Sequence, residues 1–125
     1  MELFKEFRFE AAHFLPKVPE GHKCGRMHGH SYTVVLRVGG TVGAETGWVV
    51  DYADLEQAWS RHVHAALDHR TLNEIDGLAN PTTEALVVWI WERLRAAIAA
   101  LGARLVEIEV RETASHGCVY RGSPS

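Results

Sequence analysis

Residues 28–38 read HGHSYTVVLRV, and their alternation decides the fold. With the two-residue period of a strand, His28, His30, Tyr32, Val34, Leu36 and Val38 fall on one face, and Ser31, Thr33 and Arg37 on the other. A strand with one apolar face needs a partner beside it and a cover over it. The stretch before it supplies the partner: in LFKEFRFEAAHF, residues 3–14, Phe7, Phe9, Ala11 and His13 share a face by the same period. Between the two strands, Pro16, Pro19 and Gly21 mark a loop. Paired as a hairpin, the strands would turn His13 toward His28 and His30.

The cover follows downstream. Glycines 39, 40, 43 and 47 mark a turn region, and Asp51 then stands as an N-cap with Asp54 near the positive end of a helix. The apolar stripe of that helix is Tyr52, Leu55, Trp59, His62 or Val63, and Ala66. A second helix opens at NPTTE, residues 80–84, where a threonine caps and Glu84 complements the dipole. Leu86, Ile90, Leu94, Ala97, Ile98 and Leu101 recur at helical spacing, and Gly102 stops the run. Strands are expected at 105–113 and 118–121. The order β-β-α-α-β-β predicts an α+β fold, an antiparallel sheet with two helices on one face.

A chain of 125 residues with a hydrophobic fraction of 46% is expected to form one domain over residues 1–125, with the short GSPS tail as its only linker-like stretch. A net charge of -3 provides no general basic field for nucleic acid. The longest apolar run, Ala85 to Trp91, is too short to span a membrane. The charged start, MELFKEFRFE, does not read as a signal peptide, so a cytoplasmic protein is expected. Two cysteines are too few for a disulfide framework, and each is read as a free thiol.

Three imidazoles near one point, from His13, His28 and His30, are the usual protein share of a catalytic zinc site. Gly29 leaves room on the opposite face. Cys24, in CGRMHGH, could be a fourth ligand that closes the site, or a base or nucleophile beside an open one. Spacing alone leaves both open. Cys118, in GCVY, reads as a small apolar residue. Asp68 and His69 are either a polar helix end or a general acid/base pair. Glu112 continues the row Val106, Ile108, Val110, where a carboxylate is costly without a partner. An amino-bearing heterocycle would be such a partner; a frayed strand end would leave it in solvent.

FEAAH at 9–13, CGRMHGH at 24–30, LDH at 67–69, NPTTE at 80–84 and RET at 111–113 occur together and in order. In this the chain resembles the 6-pyruvoyl-tetrahydropterin synthase / QueD family over nearly its whole length. The gap of three residues between the cysteine and HGH is similar to the bacterial 6-carboxytetrahydropterin synthase branch. The resemblance implies the T-fold, in which subunits join their sheets into a barrel with active sites at subunit interfaces. It implies a homo-oligomer, with a hexamer favoured. It implies Zn²⁺ held by His13, His28 and His30, Cys24 as catalytic base, and Asp68 with His69 as the acid/base pair. Glu112 would anchor a pterin ring, and Thr82 and Thr83 would line its pocket. The implied reaction takes 7,8-dihydroneopterin triphosphate to 6-carboxy-5,6,7,8-tetrahydropterin, acetaldehyde and triphosphate, in queuosine and 7-deazapurine biosynthesis. Lys23 and Arg26 are candidate cations for the triphosphate, the alternative being a solvated loop. The competing expectations are a synthase that only eliminates triphosphate and keeps a pyruvoyl side chain, and a non-catalytic pterin-binding module whose zinc is closed by Cys24. A zinc hydrolase with Glu112 as base is weaker, because it offers no role for a cysteine.

Overall fold

The computed structural model describes residues 1–123. Pro124 and Ser125, the end of the GSPS tail, lie outside them. Five strands form one sheet in the order β3-β1-β2-β4-β5. Strands β1 (Glu2–His13) and β2 (His28–Gly39) make the expected antiparallel hairpin, in a register that sets His13 opposite His28 and Ala11 opposite His30. Strand β4 (Arg104–Arg111) pairs antiparallel with β2, and β5 (Gly117–Tyr120) antiparallel with β4.

The sheet is mixed rather than wholly antiparallel. A two-residue strand, β3 (Arg70–Thr71), runs parallel to β1 at Ala11 and Ala12. Its cause is local. Asp68 Oδ1 accepts the Glu10 N–H at 2.9 Å, and the His69 N–H donates to the Glu10 carbonyl at 2.6 Å. The chain leaving the first helical segment is thereby stitched to the open edge of β1.

A second correction concerns β4. A bulge against β2, between Arg37 and Val38, leaves Val106 without a partner. Ile108 and Val110 keep the inward row, but at its start Leu105 packs on the core in place of Val106.

The first helix is interrupted. Helix α1 (Tyr52–Trp59) is capped by Asp51, whose side chain accepts the Ala53 N–H, and runs through a π turn at Ser60–His64 into a short α2 (Ala65–Leu67). The wider turn steps the buried face by four residues, through Leu55, Trp59, Val63 and Leu67. Ala66 is therefore only partly buried, and Tyr52, at the start of the expected stripe, is half exposed. Helix α3 (Thr83–Ala100) buries Leu86, Ile90, Leu94 and Ile98 as its spacing predicts, and ends at Gly102 with φ of 83°. Both helical segments join the inward residues of the strands in one core, where Phe7 stacks on Trp59 at 4.8 Å.

Candidate active site and metal centre

The hairpin register brings three imidazoles together at the end of β1 and the start of β2. One ring nitrogen from each of His13, His28 and His30 lies within 4.8 Å of the others. His13 is buried to 1% exposure, and its Nδ1 sits 2.9 Å from the Pro81 carbonyl. His28 Nδ1 sits 2.6 Å from the Arg26 carbonyl. Carbonyls only accept, so both Nδ1 atoms carry protons and both Nε2 atoms present lone pairs. Those two Nε2 atoms are 3.1 Å apart. Facing lone pairs at that distance repel unless a cation or a shared proton lies between them. Burial, the largest influence on each, holds His13 and His30 below the ordinary imidazole range and so disfavours the proton. His30 Nε2 is buried with no hydrogen-bond partner. Two bonds of ~2.0–2.1 Å to one tetrahedral ion would set their nitrogens ~3.3 Å apart. The donor set fits a divalent metal, with His13 and His28 oriented from behind by backbone carbonyls.

Glu112 faces this cluster. Its Oε1 lies 3.3 Å from His13 Nε2 and 3.5 Å from His30 Nε2, and its side chain is 18% exposed. The frayed-end reading fails: just past β4, the Glu112 N–H still bonds the His116 carbonyl at 3.2 Å. His116, a residue the sequence reading passed over, lies with Nε2 3.3 Å from Glu112 Oε2. The four-residue spacing of a carboxylate and an imidazole around a turn was the available signal.

Cys24 lies on a short 3₁₀ turn, Lys23–Gly25, whose start is capped by the His22 ring accepting the Cys24 N–H at 3.0 Å. The Cys24 carbonyl accepts the Leu15 N–H at 2.7 Å, which folds the loop back over the histidines. Cys24, Lys23, Glu112 and His116 line one cavity of about 390 Å³ with the three histidines. Cys24 shares that cavity without joining the ligand cluster, which among the described residues consists of the three histidines. Arg26 lines a different hollow, under the loop itself.

Asp68 and His69 form a pair, with His69 Nδ1 donating to Asp68 Oδ2 at 2.7 Å. The Glu10 amide and then the His69 hydrogen bond hold the Asp68 carboxyl below its usual range. The hydrogen bond to Asp68, reinforced by its charge, raises His69. His64, also unremarked in the sequence, approaches Asp68 Oδ2 at 3.6 Å from one helical turn away. His69 is the one non-glycine residue with positive φ among the described residues, at 56°, and its side chain is 77% exposed. It lines a second groove with Glu10, Gly29, His30 and Ser31. Within this chain, Cys24 and the Asp68–His69 pair therefore open on separate hollows.

Thr82 and Thr83 stand behind the metal centre. Thr82 caps α3, its Oγ1 accepting the Ala85 N–H at 3.1 Å, directly after the Pro81 carbonyl that orients His13. The Thr83 carbonyl accepts the Cys118 S–H at 3.5 Å. Neither threonine lines the Cys24 cavity. Cys118 is partly buried against the core, and burial pushes its thiol up, as befits a packing residue.

The model of the family described as 6-pyruvoyl tetrahydropterin synthase matches residues 2–123. A 6-carboxy-5,6,7,8-tetrahydropterin synthase of Synechocystis sp. is 41% identical over 122 residues, covering 94% of this chain and 91% of that protein. One of the same name from Bacillus subtilis is 34% identical over 128 residues, covering 96% and 84%. Among solved structures, the 6-pyruvoyl tetrahydropterin synthase of Caenorhabditis elegans superposes with a TM-score of 0.88 at 26% identity, covering 98% of this chain and 96% of that one.

Proposed function

The chain belongs to the 6-pyruvoyl tetrahydropterin synthase family, and from that membership we propose that it converts 7,8-dihydroneopterin triphosphate and water to 6-carboxy-5,6,7,8-tetrahydropterin, acetaldehyde and triphosphate. Two bacterial relatives, each matched over more than nine-tenths of this chain, carry the name of that activity. The observation that carries the reading is the cavity in which Cys24 and Glu112 converge on three nitrogens fit for a metal.

His13, His28 and His30 hold Zn²⁺ in this reading, and the ion would act as a Lewis acid on the side-chain oxygens of the substrate. Glu112 binds the amino-bearing edge of the pterin ring through its carboxylate. That ring then lies across the mouth of the cavity with its side chain toward the histidines. Cys24, as thiolate, takes a proton from the substrate side chain. His69, oriented by Asp68, returns one. Lys23 lines the cavity, and in this reading it would meet the triphosphate. Thr82 and Thr83 act in this reading by seating Pro81 and α3 rather than by touching the ring through this chain's own cavity.

The separate hollows of Cys24 and His69 support a homo-oligomer in which each active site draws on two subunits, with a hexamer as the proposed assembly. The product would enter queuosine and 7-deazapurine biosynthesis, and the protein would work in the cytoplasm. No described helix is long and apolar enough to cross a membrane.

The test is to incubate zinc-loaded protein with the triphosphate and identify the pterin by mass spectrometry, beside Cys24→Ala. A 6-carboxy-tetrahydropterin with acetaldehyde, and a variant that keeps zinc but loses turnover, is the expected result. A pyruvoyl product would move the activity to elimination alone. A metal-bound protein without turnover, whose Cys24→Ala variant sheds zinc, would overturn the enzymatic reading.

A further inference from the structure

Glu112 is subject to two competing attractions. Its Oε1 lies 3.3 and 3.5 Å from two nitrogens of the metal cluster, while the carboxylate must keep lone pairs turned to a ligand in the same cavity. A carboxylate so close to a cation site would swing onto the ion unless something held it back.

The turn after β4 provides the restraint. The His116 carbonyl accepts the Glu112 N–H at 3.2 Å and the Thr113 N–H at 3.4 Å, which closes the turn. Gly117 follows, where a Cβ would collide with the Val110 carbonyl, so the path of the turn is fixed by the absence of a side chain. Inside the turn, the Ser115 N–H donates to Thr113 Oγ1 at 3.3 Å, and Thr113 Oγ1 lies 2.8 Å from His116 Nδ1. The Thr113 hydroxyl proton can go to only one acceptor. Given to Nδ1, it leaves the proton of a neutral imidazole on Nε2, and Nε2 is the atom 3.3 Å from Glu112 Oε2. In that tautomer the chain of donors runs in one direction, from backbone amide to carboxylate.

From this geometry we infer that His116 is a positioning residue. It tethers Oε2 of Glu112, so that the carboxylate faces the cavity as a ring anchor instead of collapsing onto the metal. The inference rests on the ring-anchoring role of Glu112 in the proposed function. It adds that ring affinity in this chain is set by an imidazole four residues further on.

The experiment compares His116→Phe, which keeps the ring shape without a donor, His116→Gln, which restores an N–H, and Glu112→Gln. Zinc-loaded proteins would be titrated with 7,8-dihydroneopterin, which carries the ring without the triphosphate. Binding would be followed by calorimetry, with KM, kcat and Tm measured alongside. His116→Phe is expected to weaken binding about tenfold, the scale of one hydrogen bond to a charged group. KM should rise with kcat little changed, Tm should hold, and His116→Gln should recover most of the loss. Wild-type affinity in His116→Phe, with Glu112→Gln impaired, would overturn the role of His116 alone. Wild-type affinity in Glu112→Gln would overturn the anchor on which it rests. Equal losses in both His116 variants with a falling Tm would show a structural residue and would also overturn the inference.

Discussion

At the scale of single residues, the histidine cluster shows how little a metal site needs beyond strand periodicity. His13, His28 and His30 fall on one face by counting in twos, and the register of the hairpin completes the cluster. The carbonyls that fix the tautomers of His28 and His13 come from Arg26 and Pro81. Arg26 is a close neighbour in sequence, but Pro81 is 68 residues from His13, and no local pattern pairs them. Asp68 and His69 make the same point from the other side. Their adjacency was legible; their coupling depends on the positive φ of His69, which turns its ring back onto Asp68. That coupling predicts a pH signature. His69 should titrate above its ordinary 6.5, followed by proton NMR of the ring, and Asp68→Asn should bring the midpoint back toward that value. Its stabilising contribution is fully present below pH 6.5 and is lost as pH rises through the raised folded-state value. Asp68 behaves oppositely: its contribution is present above 3.8 and is lost as pH falls through its depressed folded-state value. The pair is therefore intact between those limits. An unchanged midpoint in Asp68→Asn would mean that the two side chains are not coupled in solution.

At the scale of elements, what the sequence made legible was what repeats. Alternation located β1, β2 and most of β4, and the spacing of Leu86, Ile90, Leu94 and Ile98 located α3. What it hid were single-residue departures from a period. The π turn at Ser60–His64 and the bulge at Val106 each shift a pattern by one position, and each is settled by packing against a distant segment. Strand β3 is two residues long and exists because Asp68 and His69 grip Glu10, so it has no signal of its own. The cap of α3 joins an element to the site. Thr82→Ala should cost about 1 kcal/mol in denaturant unfolding of the metal-free protein, as loss of a threonine cap does. Because Pro81 precedes the cap and orients His13, zinc affinity should fall with it, within the ~10–100-fold typical of outer-shell losses. Chelator competition measures this. A stability loss without any change in zinc affinity would show that the cap and the metal centre are independent.

At the scale of the whole molecule, the fold leaves unfinished what the chemistry requires. The sheet ends at β3 and β5, two short strands whose outer edges have no partner among the described residues, and open edges favour pairing with another copy. The two halves of the proposed proton-transfer machinery open on different hollows, Cys24 with the histidines and His69 across the sheet beside Gly29 and Ser31. His30 lines both hollows. In the proposed mechanism a proton removed at Cys24 and one returned by His69 would have to reach the same small substrate, yet the two residues line different hollows of the subunit. In the proposed assembly His69 of one subunit would serve Cys24 of the next, closing edges and completing sites in a single act of association. This makes a quantitative prediction. Cys24→Ala and Asp68→Asn are each expected to be inactive as pure oligomers. Co-expressed in equal amounts and mixed at random, they should regain about a quarter of wild-type activity, since each shared site has an even chance of an intact residue from either side. Two differently tagged chains, purified sequentially so that only mixed oligomers are assayed, would measure it. If each site were built from one chain, every site in the mixture would carry a lesion, and the mixed oligomers would stay as inactive as their parents.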